Sequence, residues 1–259
     1  MTSNSEPDRY GQAWTHDELV LAFDLYCRIP FRTTKANNPE VRELARLLHR
    51  SPASVARKLG NFGAFDPELR KQNISGLSHT SRLDQEVWDE FHSNWNTLVL
   101  KAYELRKSLG GKIEQLDNFV PPTGPSERIA TVKQRLHQSF FREAILSSYE
   151  QRCCVTGIAI PECLVASHIV PWSQNERLRT DPSNGLCLSA TFDKLFDQGL
   201  MSLTDELTVL IAKRLLRSSS NEVQRLVCMY HERPILRPKR FLPLPEHVRW
   251  HRSNVFVGN

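Results

Sequence analysis

Apolar side chains recur every three to four residues through most of residues 1–109, with few β-branched positions among them. This spacing places them on one face of an α-helix, so we predict an all-α N-terminal domain over that range. Residues 110–127 contain three glycines and three prolines. Because proline disfavours helical backbone at the residue before it, this stretch is interpreted as a linker. A helix is expected next, over about residues 128–150, with Ser126 as its N-cap.

The periodicity shortens within the C-terminal domain, residues 128–259. Apolar runs at residues 164–170 and 186–188 are bounded by Pro and Gly, which favours short strands. Residues 200–203 and 207–211 flank a Thr-Asp-Glu sequence and predict a β-hairpin. The predicted fold class is therefore α+β, with an all-α domain followed by a mixed one.

Residues 39–62 have the pattern of a helix-turn-helix and resemble the Myb-like group of such motifs. Ser and Pro at residues 51–52 are preferred at the N-cap and first position of a helix. On that helix, Arg57, Lys58 and Asn61 lie away from the apolar positions. Because such side chains pair with phosphates and base edges in the major groove, we expect them to contact DNA. A helical hairpin that only packs or mediates association is the alternative.

Composition excludes several classes of protein. The chain has 259 residues, of which 40% are hydrophobic and 24% charged, as in ordered globular proteins. No run reaches the ~18 apolar residues of a membrane span, and the N-terminal sequence does not resemble a secretory signal. The six cysteines do not have the spacing of a disulfide framework. We therefore expect a cytoplasmic protein with reduced cysteines and no membrane partner.

The formal charge of +5 is unevenly distributed along the chain. Residues 210–259 carry 10 basic and 3 acidic residues, whereas residues 110–209 carry 9 and 12. A basic segment beside an acidic one can bind a polyanion while its carboxylates bind a cation. A solvated surface with uneven charge is the alternative interpretation.

Four polar side chains in the C-terminal domain form a candidate catalytic set. His168 lies at the end of a predicted strand, and Asn184 ends a turn that precedes the next strand. Asp193 and Asp197 follow on a predicted helix that begins near Ser189, and their i, i+4 spacing places both on one face. Two adjacent carboxylates repel unless a cation lies between them, so we expect the imidazole and both carboxylates to converge around one ion. The alternative for His168 alone is a hydrogen-bonded core residue.

This order of residues resembles the HNH nuclease family, with its ββα-metal finger. The matching segments are Cys154–Gly157, Ala166–Trp172, Asn184–Ser189 and Phe192–Leu200. The resemblance implies a metal-dependent DNA endonuclease. It also implies that His168 is the general base, that Asn184 holds the loop and the base in register, and that Asp193 and Asp197 are metal ligands.

The chain departs from the family pattern at the metal ligands. Ser167 stands where many members have an acidic residue or a histidine, and Asp193 replaces the closing histidine. Oxygen ligands favour a hard cation, so Mg²⁺ or Mn²⁺ is expected. A structural Zn²⁺ is not expected, because Cys154 is followed by Gly157 where relatives have a second cysteine. Lys194, between the two aspartates, is a candidate DNA contact.

A DNA-reading domain joined to a nuclease domain indicates cleavage of double-stranded DNA in bacterial restriction or defence, by analogy with such fusions. Cutting both strands with one finger per chain would require a homodimer. One alternative is a helix-turn-helix regulator with a non-catalytic finger. Another is an N-terminal domain that recognises a partner protein instead of DNA.

Overall fold

The computed structural model describes residues 9, 11–73, 80–111 and 125–258, with the backbone alone for residues 125–130. The chain divides into two compact units, unit 1 (Met1–Glu143) and unit 2 (Ala144–Asn259). The division falls within a helix and not at the predicted linker, of which residues 112–124 lie outside the described residues.

Unit 1 is helical wherever its described residues form regular structure. Its helices are α1 (His16–Arg28), α2 (Pro39–Leu47), α3 (Pro52–Phe65), α4 (Pro67–Lys71), α5 (Arg82–Phe91), α6 (Trp95–Ser108) and most of α7 (Pro125–Ser148). A short 3₁₀ turn covers Phe31–Thr33. Helix α7 begins at Pro125, so the predicted cap Ser126 lies inside the helix. These helices fit the all-α prediction for this part of the chain.

Helix α1 lies at the centre of unit 1. Every residue from Glu18 to Cys27 is buried, and the helix packs against α3, α5 and α6. The ring of Phe23 lies with its centroid 4.9 Å from that of Phe62 and 5.4 Å from that of Trp88. Tilted aromatic contacts of this kind contribute beyond the area they bury, so α1 organises the hydrophobic core.

Helices α2 and α3 form the predicted helix-turn-helix. Ser51 caps α3 by accepting a hydrogen bond from the backbone N–H of Ser54, and Pro52 is the first residue of the helix. The turn between the helices contains His49 in the left-handed region, with φ of 52°. The sequence therefore predicted both helices and the residue that starts the second.

A buried ion pair fixes the start of α3 against α1. The Arg50 guanidinium donates to both carboxylate oxygens of Glu18 at 2.9 and 2.8 Å, and its carbon lies 4.6 Å from the centroid of the Trp14 ring. Burial acts to raise the pKa of Glu18, but hydrogen bonds and the Arg50 charge outweigh it and hold that pKa below its usual value. The pair is thus ionised when unit 1 is folded.

Unit 2 contains two small antiparallel sheets and several helices. Its strands are β1 (Leu164–His168), β2 (Gly185–Ser189), β3 (Met201–Leu203) and β4 (Val209–Ile211), and its helices, after the end of α7, are α8 (Ala190–Asp197), α9 (Lys213–Leu216), α10 (Asn221–Leu226) and α11 (Pro245–Asn254). Strand β1 pairs with β2, and β3 pairs with β4 in the predicted hairpin. Helix α8 packs against β1, β2 and β3. The order β1, β2, α8 is that of the expected finger.

The C-terminal segment packs on the end of α8. Gly199, with φ of 65°, follows this helix, and its carbonyl accepts a hydrogen bond from the backbone N–H of Val257 at 2.8 Å. A Cβ atom at Gly199 would collide with the carbonyl oxygen of Val255. Glycine is therefore required here both by the backbone angle and by the close approach.

Of the helices in the described ranges, none combines the length and the apolar character that crossing a bilayer requires.

Replacing Arg50 tests the buried ion pair. We expect Arg50→Ala to lower the free energy of unfolding by about 3 kcal/mol, because the substitution removes the buried partner of the Glu18 carboxylate and leaves only the half-exposed Arg9. Arg46→Ala, at an exposed position of α2, should change it by no more than about 0.5 kcal/mol. Urea unfolding followed by circular dichroism measures both, and equal losses would contradict the assignment.

Candidate active site

His168 is the last residue of β1 and pairs with Gly185 on β2. Its Nε2 atom lies 3.1 Å from the backbone carbonyl oxygen of Arg179. Because a carbonyl oxygen only accepts hydrogen bonds, Nε2 carries the hydrogen of the neutral ring, and Nδ1 carries the lone pair. The loop between the two strands therefore determines which nitrogen can take up a proton.

The protonation state of His168 is also set by its surroundings. Burial lowers the pKa of the imidazole below its ordinary value of 6.5, and the hydrogen bond to the Arg179 carbonyl offsets only part of this effect. The ring is therefore mainly neutral at pH 7, which is the form that a general base requires.

Trp172 and Arg179 hold the loop that faces His168. The Trp172 ring meets the His168 ring edge-on, with centroids 5.6 Å apart, and the Arg179 guanidinium carbon lies 5.2 Å from the centroid of the Trp172 ring. The Nε of Arg179 also donates to the Trp172 carbonyl at 3.2 Å. Nothing in the sequence marks Arg179, because its contact with His168 is through a backbone atom.

Asn184 is fully buried and holds the segment that follows His168. Its Oδ1 accepts from the backbone N–H of Val170 at 2.8 Å, and its Nδ2 donates to the Val170 carbonyl at 3.0 Å. The backbone carbonyl of Asn184 accepts from the N–H of Ile169 at 2.9 Å. Both ends of the loop are thus joined through one side chain.

Asp193 and Asp197 lie one turn apart on α8, as the i, i+4 spacing predicts. Burial and the charge of Asp193 raise the pKa of the Asp197 carboxyl, and the charge of Lys194 acts in the opposite direction. The two carboxylates are therefore close enough to repel, which is the electrostatic condition that a bound cation would relieve.

The donor atoms fit a hard cation. The Oγ of Ser167, next to His168, is buried without a hydrogen-bond partner, and an unsatisfied buried hydroxyl calls for an explanation such as an ion. Asp193 and Asp197 also carry oxygen donors, the ligand type that Mg²⁺ and Mn²⁺ prefer.

The expected convergence of three side chains is not observed. Within the described ranges, no group of three or more His, Cys, Asp or Glu is placed to hold an ion. His168 therefore does not join Asp193 and Asp197 as a third ligand. Its Nε2 instead lies 3.1 Å from the Arg179 carbonyl oxygen.

Three buried cysteines lie beside the finger. Burial raises the pKa of the Cys154 thiol well above its usual value, and the neighbouring Cys153 and Cys187 act in the same direction. Metal binding requires the thiolate, so Cys154 behaves as a small apolar group of the core.

The predicted DNA contacts of α3 differ in their surroundings. Lys58 donates to Asp84 of α5 at 2.8 Å, and the buried Asn61 donates to the same carboxylate at 2.8 Å. Lys58 is thus paired with the buried Asp84 carboxylate and Asn61 is hydrogen-bonded to it, because α5 packs against that side of α3. Arg57 is exposed, and so is Lys194 on α8.

His251 of α11 reaches the end of α8. Its ring stacks on Phe196 with centroids 3.6 Å apart, its Nδ1 lies 2.9 Å from the Ser202 Oγ, and its Nε2 lies 3.2 Å from the Phe196 carbonyl oxygen. Burial lowers the pKa of His251 to about 4, although the bond to this carbonyl acts in the opposite direction. Both nitrogens of the neutral His251 ring thus have a hydrogen-bond partner.

Residues 153–204 match the family model for HNH endonucleases. The matched segment contains His168, Asn184, Asp193 and Asp197, so the resemblance predicted from the sequence is confirmed. The match is to this segment and does not extend over the rest of the chain. A comparison with characterised proteins finds none that matches the chain.

Acid should destabilise the fold through His251. Because the folded pKa is about 4 and the ordinary value is 6.5, the unfolded state binds more protons between these pH values, and stability falls as the pH falls. The loss should reach roughly 3 kcal/mol at about pH 4. Urea unfolding at a series of pH values measures it.

The control for this prediction is His251→Gln, which removes the titrating group. We expect the variant to be less stable at pH 7 and to lose less further stability in acid than the wild type. Parallel pH profiles for the two proteins would contradict the assignment.

Proposed function

We propose that this protein is a divalent-metal-dependent endonuclease that hydrolyses phosphodiester bonds in DNA. The observation that carries the proposal is the orientation of His168 in the HNH segment. One nitrogen is bound to a loop carbonyl at 3.1 Å, so the other presents its lone pair. Unit 2 supplies the finger in which this base stands beside a helix that carries two coupled carboxylates.

In this mechanism, the Nδ1 of His168 accepts a proton from the attacking water, a contribution of about 10²–10⁴-fold in rate. Asn184 keeps the loop in place, so that the Arg179 carbonyl continues to hold the ring. Asp193, Asp197 and the Ser167 hydroxyl would hold Mg²⁺ or Mn²⁺. When bound, such an ion stabilises negative charge on the phosphate and on the leaving oxygen.

The wider setting is cleavage of foreign double-stranded DNA, in restriction or defence in a bacterial cytoplasm. Arg57 of α3 and Lys194 of α8 contact the DNA backbone in this proposal, since exposed basic side chains supply sequence-independent affinity. A cut in both strands requires two copies of the finger, and therefore a homodimer.

Variants at His168 and Asp193 test the division of roles. On supercoiled plasmid with Mg²⁺ or Mn²⁺, we expect His168→Ala to reduce nicking by at least ~10²-fold, with DNA binding and Mn²⁺ binding retained. Asp193→Asn should instead weaken Mn²⁺ affinity, with activity partly restored by excess Mn²⁺. His49→Asn, at an exposed histidine of unit 1, serves as the control.

Two results would overturn this proposal. Wild-type protein that binds plasmid but never nicks it in either metal would favour the regulator with a non-catalytic finger. Identical behaviour of the His168 and Asp193 variants at every metal concentration would remove the division between base and ligand.

Arg57→Ala tests whether unit 1 binds DNA. We expect the variant to weaken DNA binding about equally for all sequences and to reduce the slope of log affinity against log salt by about 1, since one phosphate contact is lost. Arg82→Ala, at an exposed arginine of α5 paired with Glu86, is the control. Unchanged affinity in Arg57→Ala would favour recognition of a partner protein.

A further inference from the structure

Helix α11 follows the family-matched segment in the sequence, yet it contacts that segment beside two residues of the candidate site. His247 has its Nδ1 3.2 Å from the Ser183 carbonyl oxygen, one residue before Asn184. His251 bonds the carbonyl of Phe196, one residue before Asp197. The two histidines lie one turn apart on α11. His247 therefore holds the backbone next to Asn184, and His251 holds the backbone next to Asp197.

The contact of His251 adds a second donor at the end of α8. The last carbonyl groups of a helix carry partial negative charge, and that of Phe196 already accepts a hydrogen bond from the Gly199 N–H at 2.9 Å. In α8 that charge lies in the same turn as the Asp197 carboxylate. The Nε2–H of His251 donates to the Phe196 carbonyl in this turn and so offsets part of that charge.

The His251 ring has little freedom to move. The Ser202 hydroxyl, fully buried on β3, donates to Nδ1, and the ring planes of His251 and Phe196 differ by 7°. The backbone bond from Val257 to Gly199 at 2.8 Å holds the chain beyond α11 against the same end of α8. Position and tautomer of the imidazole are thus both determined.

We propose that His251 is a positioning residue of the nuclease centre, which orders the last turn of α8 and thereby the carboxylates of Asp193 and Asp197. It acts through the Phe196 carbonyl and does not touch the ion. The proposal rests on the metal-dependent function proposed above. It makes α11 a part of the metal finger, although this helix lies beyond the matched residues.

Three variants separate positioning from general stability. His251→Phe keeps a flat ring over Phe196 and loses both hydrogen bonds. His251→Gln places an amide nitrogen near the position of Nε2 and keeps a donor for the Phe196 carbonyl. Arg252→Met is the matched control on the same helix, because Arg252 bonds the Leu203 carbonyl at 2.8 Å and Asp205 at 2.7 Å in the β3–β4 hairpin.

The first measurement is Mn²⁺ affinity without DNA, by calorimetric titration, with urea unfolding of each variant alongside. We expect His251→Phe to weaken Mn²⁺ binding roughly 10-fold, as for other groups that orient metal ligands. His251→Gln should recover most of this loss. Arg252→Met should keep the wild-type affinity at a comparable loss of stability. Affinity losses that follow stability alone in all three variants would overturn the proposal.

The second measurement is amide hydrogen exchange in the metal-free protein. The N–H groups of Gln198 and Gly199 donate to the carbonyls of Lys194 and Phe196 at 3.1 and 2.9 Å and report on the last turn of α8. We expect faster exchange there in His251→Phe than in Arg252→Met. Equal exchange in the two variants would overturn the positioning role. If the wild-type protein binds no Mn²⁺ but the two variants still differ in exchange, the proposed function alone would be overturned.

Discussion

The buried amide of Asn184 is the interaction on which the geometry of unit 2 depends. It bonds both backbone polar groups of Val170 and so joins the start of the loop after β1 to its end before β2. The Arg179 carbonyl lies within this closed loop and takes its position from it. Without the amide, two buried backbone groups would lose their partners at a cost of about 1–3 kcal/mol each, and the imidazole of His168 would lose its fixed acceptor.

Burial has opposite effects on the pKa values of the two kinds of titratable group in this finger. It lowers the pKa of His168 and raises that of Asp197, because burial disfavours the charged form in both cases. The His168 imidazole is thereby kept mainly neutral, whereas a nearby cation would favour the charged form of the Asp197 carboxyl. The same physical effect thus favours the neutral form of both groups.

The finger could be predicted from the sequence because its elements are short and its polar residues are separated by fixed element lengths. Asp193 and Asp197 share a helical face by spacing alone. The hydrogen bonds of Lys58 and Asn61 to Asp84 could not be predicted. Periodicity shows which face of α3 is polar, but it does not show that Asp84 of α5 lies against this face. Arg179 was missed because it acts through its backbone carbonyl.

The proposed role of α11 depends on the short length of α8. Helix α8 has 8 residues, so the carbonyls of its last turn lie within about one turn of both aspartates. Gly199, just after α8, lies so close to the Val255 carbonyl that a residue with a Cβ atom would not fit there. The Phe196 carbonyl in that turn accepts from the Gly199 N–H and also from His251, so α11 adds a hydrogen bond from outside the finger. The structural unit around α8 is therefore larger than the segment that matches the family model.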